Sequence, residues 1–461
     1  MKCRILLVFA AAYILAQFAL FAGVSKNGKS AAPPINPPVT CNTIKPDAPI
    51  TPVLLSSGMP CTVSAVAPFD LKNLQRAFDF NSWLSFLALN APASGGVIGK
   101  DAPTVWENWE EVENVFLAGG RAPAPWGHTA PRPSPCRNLP DEPILQMVGK
   151  TPGVLTDVIQ PFNTGPLIDQ NGQYVRFEIV LNRPMFEYID QNRLYNQPGQ
   201  QAFSGPIDFP EGSLDAGQST GAMGAIVIKA TWKLLDPAKD NPADFHTANV
   251  LIYDPPLANP PAPGKCYPAT VGLVGLHIVH RTDKEPQWLW ATFEHVDNDP
   301  TQAEVNGKQL QAHYNFFDPA CTSCAVNTQP PRPWNPSQSP FPDGFHSQIV
   351  RETGLMDDAK ELNAAFQAIL QGTVWQHYML VSTQWPTQPT SPTDPNGVPF
   401  PVYLANTTME TYIQGSVPNS SSSCMMCHGN ATDTTGRHAN FTYVLERAQP
   451  AVKNNPPPAV P

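Results

Sequence analysis

Two thiols separated by two residues and followed directly by an imidazole, Cys424-Met425-Met426-Cys427-His428, form the constellation in this chain whose types and spacing best define a reaction. Cysteines at that separation can add to the two vinyl groups of one porphyrin as thioethers, while the adjoining histidine delivers a ring nitrogen to the iron. The motif predicts one covalent haem c, bound through Cys424, Cys427 and His428, with His428 as an axial iron ligand. Two other chemistries use the same residues: a disulfide between Cys424 and Cys427, and a zinc site, which needs two further convergent ligands. The flanking residues 418–423 and 429–436 are small and polar, which suits a loop that an attachment enzyme must thread.

The residue on the other side of the iron sets the chemistry. A closed six-coordinate iron cycles electrons, whereas an open one binds peroxide or oxygen. Candidates for the sixth ligand are Met409 upstream, Met379 and His377 on the segment before it, His438 shortly after the motif, and His295. A second group of ionisable residues comprises Glu294-His295-Val296-Asp297, with His277, His280 and Arg281 on the preceding strand. Glu294 and His295 are the candidate catalytic acid and base for peroxide cleavage. The competing reading is that these groups bond one another and the strand ends, or that Arg281 holds the haem propionates. Trp288 and Trp290 read as core residues before electron relays.

The elements that must position these groups follow from periodicity. Residues 71–89 carry Leu71, Leu74, Phe78, Trp83, Phe86 and Leu87 at helical spacing, and residues 105–117 place Trp106, Trp109, Val112 and Phe116 on one side of a second helix. Residues 174–181, 224–235, 270–281 and 287–296 read as strands. In the last, Trp288, Trp290, Thr292 and Glu294 share one face, and Leu289, Ala291, Phe293 and His295 the other. The turn Thr282-Asp283-Lys284-Glu285-Pro286 joins the last two strands as an antiparallel hairpin. Asp357 or Asp358 caps a helix ending near Gln371, with Leu362, Phe366, Ile369 and Leu370 as its buried stripe. Further helices are expected over 406–413 and around Phe441, Val444, Leu445 and Ala448. The fold class is α+β: a β-rich central body over 71–329 with N-terminal helices, a Pro-rich linker at 330–345, a C-terminal helical haem-binding region at 346–449 and a Pro-rich tail at 450–461.

Proline supplies 54 of the 461 residues, and charged residues only 14%, yet 42% are apolar, so a sizeable core forms and global disorder is excluded. A net charge of -10 leaves no basic surface for phosphates and argues against a nucleic-acid partner. Lys2 and Arg4 precede an apolar run over residues 5–23, the pattern of an export signal in residues 1–25, either cleaved or kept as an inner-membrane anchor. Residues 26–70 read as an extended Pro-rich spacer. In an oxidising compartment Cys41, Cys61, Cys136, Cys266, Cys321 and Cys324 make up to three disulfides, with 15 connectivities open. Cys321 and Cys324 are followed by Ala325, so a second covalent haem is not expected.

The Cys424 to His428 motif is similar to that of c-type cytochromes. The stretches Gln376-His377-Tyr378-Met379-Leu380-Val381-Ser382-Thr383-Gln384-Trp385-Pro386 and Leu404-Ala405-Asn406-Thr407-Thr408-Met409-Glu410-Thr411-Tyr412 resemble large exported monohaem cytochromes of Gram-negative bacteria. That resemblance implies electron transfer in the periplasm with a redox partner protein, and membrane contact only through a retained N-terminal segment. The motif lies near the C-terminus with no Met after His428, unlike small cytochromes, so upstream chain must enclose the haem. The alternatives are a haem enzyme of peroxidase or oxygenase type with an open sixth position, and a haem-free exported binding protein if Cys424 and Cys427 are oxidised to a disulfide.

Overall fold

Extended chain turns successive side chains to opposite sides, and here both sides of a large sheet are covered. The computed structural model describes residues 38–63, 71–99, 102–128, 131–147, 164–258, 261–414 and 422–451, all within the unit Asn36–Pro461. The expected export signal and C-terminal tail lie outside these residues, apart from 450–451.

The main sheet contains β1 (Glu110–Glu111), β2 (Ile144–Leu145), β3 (Arg176–Leu181), β4 (Ile226–Leu234), β5 (Thr247–Asp254), β6 (Lys265–His280), β7 (Leu289–His295), β8 (Tyr378–Pro386) and β9 (Pro399–Phe400). Its order is β9-β8-β7-β6-β4-β3-β1, with β5 on the first half of β6 and β2 on β5. The β2–β5 pair is parallel and the others are antiparallel. All four expected strands form, and β6 and β7 make the expected hairpin, in register from Gly275 opposite Glu294 to His280 opposite Leu289.

Alternation along these strands builds two cores. On one face Ile228, Ala230, Leu276, Ile278, Ala291 and Phe293 meet helices α1 (Leu71–Leu89) and α2 (Asp357–Ile369). Trp83 stacks on Phe366 at 4.8 Å between ring centroids, and Phe86 on Phe293 at 4.4 Å. The polar side of α1 is buried too, because it bonds to β8: Asp79 accepts from the Thr383 amide at 2.8 Å, and Gln75 accepts from Trp385 Nε1 at 2.8 Å. On the other face Ile179, Leu181, Val227, Val279 and Trp290 meet the C-terminal chain through Met425, Phe441, Val444 and Leu445. The fold is thus α+β with a β-rich body.

Three expected helices take other forms. Residues 105–117 break into a 3-10 turn at Trp106–Asn108, β1, and a short helix at Val112–Val115, because Glu110 and Glu111 pair with Leu181 and Val180 at the sheet edge. Residues 406–413 form turns. Asn406 Oδ1 accepts from the Thr408 amide and hydroxyl, and Glu410 accepts from the Asn406 amide, so side chains compete for the groups a helix would use. Residues 441–448 hold only a 3-10 turn, Tyr443–Arg447.

Parts of the Pro-rich stretches 38–63 and 330–345 pack onto the body. Pro38–Thr40 pairs with Thr220–Ala222, Leu54 is buried, and a disulfide joins Cys41 to Cys61. Phe341, in the expected linker, packs on Ile168 and Tyr174. The other disulfides are Cys136–Cys266 and Cys321–Cys324. Among the described residues no helix is long and apolar enough to cross a membrane.

Candidate functional site

The motif Cys424-Met425-Met426-Cys427-His428 folds as the one-turn helix α3, Cys424–His428. Helical spacing of three and four residues puts Cys424, Cys427 and His428 on one side of that turn. Both cysteines stand outside the disulfides as thiols. The start of α3 is fixed by Gln384 of β8, fully buried, whose Oε1 accepts from the Met425 amide at 2.7 Å and whose Nε2 donates to Ser423 Oγ at 3.1 Å. Buried Met425 pins α3 into the core beside β4 and β7.

His428 Nδ1 donates to the carbonyl of Phe441 at 2.9 Å. That bond selects the tautomer in which Nε2 carries the lone pair, the arrangement that orients metal-bound imidazoles. The His428 ring lies 4.5 Å from Trp290 and 5.1 Å from Tyr443 between centroids, and the Tyr443 hydroxyl donates to the Cys427 carbonyl at 2.8 Å. His428 lines a narrow crevice with Val227, Lys229, Val279, Trp288, Trp290, Phe441 and Thr442. The opposing wall is therefore the inner face of β4, β6 and β7.

Backbone conformation near this crevice is unusual. Trp288 has φ 70° and Phe441 64°, a region that bulky residues adopt at a cost of about 1–3 kcal/mol each, while Asn440, at 50°, is of a type that enters it readily. Trp288 Nε1 donates to the Asn440 carbonyl at 3.0 Å, tying the β6–β7 turn to the loop that carries the His428 acceptor. Strain of this kind concentrates at functional sites. The cation in the crevice is Lys229. Burial pushes its amine down to about 8, against the opposing influence of Cys424 and Cys427. An open cleft of about 590 Å³, with Arg281, Gln287, His438 and Asn440 on its walls, shares Phe441 with the crevice.

Of the other sequence candidates, His295, Asp297 and His377 come within 4.8 Å of one another, none of them lining the His428 crevice, and the rest are dispersed. Met409 is fully buried in the same apolar core as Met425 and Trp290, but does not line the His428 crevice. Met379 pairs with Glu294 across β7 and β8. His438 contacts the Gly429 carbonyl through Nε2 at 3.1 Å. Glu294 and His295 do not meet, because adjacent strand residues point to opposite faces. Glu294, fully buried, bonds Arg351 and accepts from the Thr407 amide at 2.9 Å and hydroxyl at 2.6 Å. His295 contacts the Asp244 carbonyl through Nε2 at 2.8 Å, and burial pushes it down to about 3.

On the preceding strand, His277 contacts Glu410 at 3.3 Å, and His280 the Met223 carbonyl at 2.6 Å. Arg281 is paired with Asp208 and Glu211. Three participants escape sequence reasoning. Gln384 and the Phe441 carbonyl carry no local signal, whereas Lys229 does, as a lone cation inside the apolar run Ile226-Val227-Ile228-Lys229-Ala230. No family model, no curated protein and no solved structure matches this chain.

Proposed function

We propose that this protein is an exported, periplasmic c-type cytochrome that transfers electrons to and from a redox partner protein. One covalent haem c is held by Cys424 and Cys427, with His428 as axial ligand. The observation that carries this reading is the bond from His428 Nδ1 to the Phe441 carbonyl, which presents Nε2 as a ligand nitrogen beside two thiols on one helical turn. A bound haem supplies a one-electron iron couple.

The chain's own residues set the surroundings of that couple. Val227, Val279, Trp288 and Trp290 form an apolar wall that limits water, and such exclusion tunes a redox centre. Trp290 and Tyr443 both pack against the imidazole.

The alternative, a haem enzyme of peroxidase or oxygenase type with an open sixth position, draws on one observation. Among the described residues lining the crevice with His428 there is no Met and no second His. The test is to express the protein with a cytochrome c maturation system and measure haem retained after acid-acetone extraction. Optical spectra of oxidised and reduced protein are then recorded with and without CO. Covalent haem with low-spin spectra unmoved by CO supports electron transfer, high-spin spectra with ready CO binding support the enzyme, and loss of all haem on extraction refutes both.

A further inference from the structure

A second cluster of ligating side chains lies where β7 ends and β8 begins. The donor atoms of His295, Asp297 and His377 all lie within 4.8 Å of one another, with His295 Nδ1 at 3.9 Å from Asp297 Oδ2. His295 ends β7, Asp297 follows it by two residues, and His377 immediately precedes β8. Backbone pairing locks these segments together, since the Val296 amide donates to the His377 carbonyl at 2.8 Å.

We infer that His295, Asp297 and His377 bind one divalent transition-metal ion, with zinc the ion their donor set suits best. Two imidazoles and one carboxylate form a recurrent zinc set, with water completing the coordination. This site uses none of Cys424, Cys427 and His428.

The surroundings are those of an oriented ligand. His295 Nε2 donates to the Asp244 carbonyl at 2.8 Å, the outer-shell contact that fixes a ligating imidazole and leaves Nδ1 with the lone pair. Phe245 stacks on the His295 ring at 4.5 Å, and the His377 ring lies nearly parallel to it, tilted by 10° at 5.8 Å. His295 is thus a fixed anchor. Asp297 and His377 are only half-buried, so they supply both the adjustment and the route from solvent.

Zinc bonds of about 2.0–2.1 Å place tetrahedral donors roughly 3.4 Å apart, so closure takes about 1 Å of movement by these two side chains. At present the lone pairs are covered by long bonds from close sequence neighbours. The Asp297 amide donates to His295 Nδ1 at 3.2 Å, and the Gln376 side-chain amide approaches His377 Nε2 at 3.2 Å. An ion replaces both with stronger contacts.

The test is calorimetric titration of the full-length, chelator-treated protein with Zn²⁺, alongside His377→Ala, Asp297→Asn and a control, His346→Ala, whose imidazole lies by Asp318. Both ligand substitutions are at half-buried positions, and circular dichroism checks that each variant is folded. Wild type is expected to bind one more equivalent of Zn²⁺ than His377→Ala. Asp297→Asn is expected to lose at least about tenfold in affinity, and His346→Ala to match wild type. Reading the difference in stoichiometry separates this site from any zinc taken by Cys424 and Cys427. With Cu²⁺ as a second probe, electron paramagnetic resonance should show two nitrogen ligands in wild type and one in His377→Ala. Equal stoichiometry and affinity in wild type and His377→Ala overturn the inference.

Discussion

Replacing Glu294 by Gln separates two roles for a residue that the sequence offers as a catalytic acid. Glu294 and Arg351 are 0% and 2% exposed. Burial disfavours the charge on Arg351, but Glu294 and Asp299 more than offset it and hold the guanidinium above its usual range. Removing one partner of such a buried pair destabilises by about 3–5 kcal/mol, because the remaining charge is left uncompensated.

Asp299 lies 3.9 Å from Arg351 and supplies a partial substitute, so the lower end, about 3 kcal/mol, is expected. The Gln NH2 would also replace one of two acceptor oxygens and face either Arg351 or the Thr407 amide, both of which only donate. The assay is urea unfolding of wild type, Glu294→Gln, Arg351→Met and the double variant, followed by tryptophan fluorescence. The double variant should lose clearly less than the sum of the single losses, with a coupling of about 2 kcal/mol or more. A Glu294→Gln protein as stable as wild type to within about 0.5 kcal/mol, yet inactive in a haem-dependent peroxide assay, would refute the structural assignment and restore the catalytic one.

Burial pushes Asp79 up to about 7, above its unfolded value, so the folded state holds its proton more tightly and wild type loses stability as pH rises from about 4 to about 7. Asp79→Asn should therefore lose less stability than wild type between pH 5 and pH 8, read from urea midpoints, with the remaining slope left to other buried acids such as Glu285; identical pH dependence in both proteins would refute the argument. The Cys136–Cys266 disulfide closes a loop with a sequence separation of 130, for which chain entropy gives about 5 kcal/mol, so the double Ala variant should melt far below wild type. Cys321 and Cys324, only 3 apart, should have a much smaller effect when replaced, and equal losses at the two sites would contradict the loop argument. Gln384→Ala leaves the buried Met425 amide without its acceptor and should destabilise by about 1–3 kcal/mol, with faster hydrogen exchange at Met425; unchanged exchange there would show that α3 does not depend on Gln384.

The strands were legible because their chemistry is local. Alternation in residues 287–296 assigned Trp290 and Phe293 to opposite faces, and the structure puts them in the two different cores. The same alternation puts Glu294 and His295 on opposite faces, and the structure keeps them there with separate partners, so the two candidates cannot act as one acid–base pair. Elements fixed by distant partners were not legible: Glu110 and Glu111 leave a helical pattern for the sheet edge, and Asn406 and Glu410 turn one into a loop. The site was readable as a five-residue motif, whereas its setting was not. Gly275 illustrates why. A Cβ there would come within 2.2 Å of Thr408 Oγ1 and 2.5 Å of Thr231 Oγ1, a close approach between chain segments far apart in sequence.

The narrowness of the crevice sets an order of events. Trp290 and Tyr443 already touch the His428 ring, and Gln384 clamps the start of α3 to β8, next to one edge of the sheet. In the proposed function, a porphyrin must reach both thiols before that clamp closes. All strands of the sheet precede α3 in sequence, so in that function the sheet can be complete while the motif is still held by an attachment enzyme. Docking of the C-terminal chain then becomes the step that seals the cofactor in, and a chain that docks too early commits itself to an empty, inert product. Slowing that docking, for example by weakening the Gln384 contact, is therefore a route to higher yield of mature protein even though it lowers the stability of the finished fold.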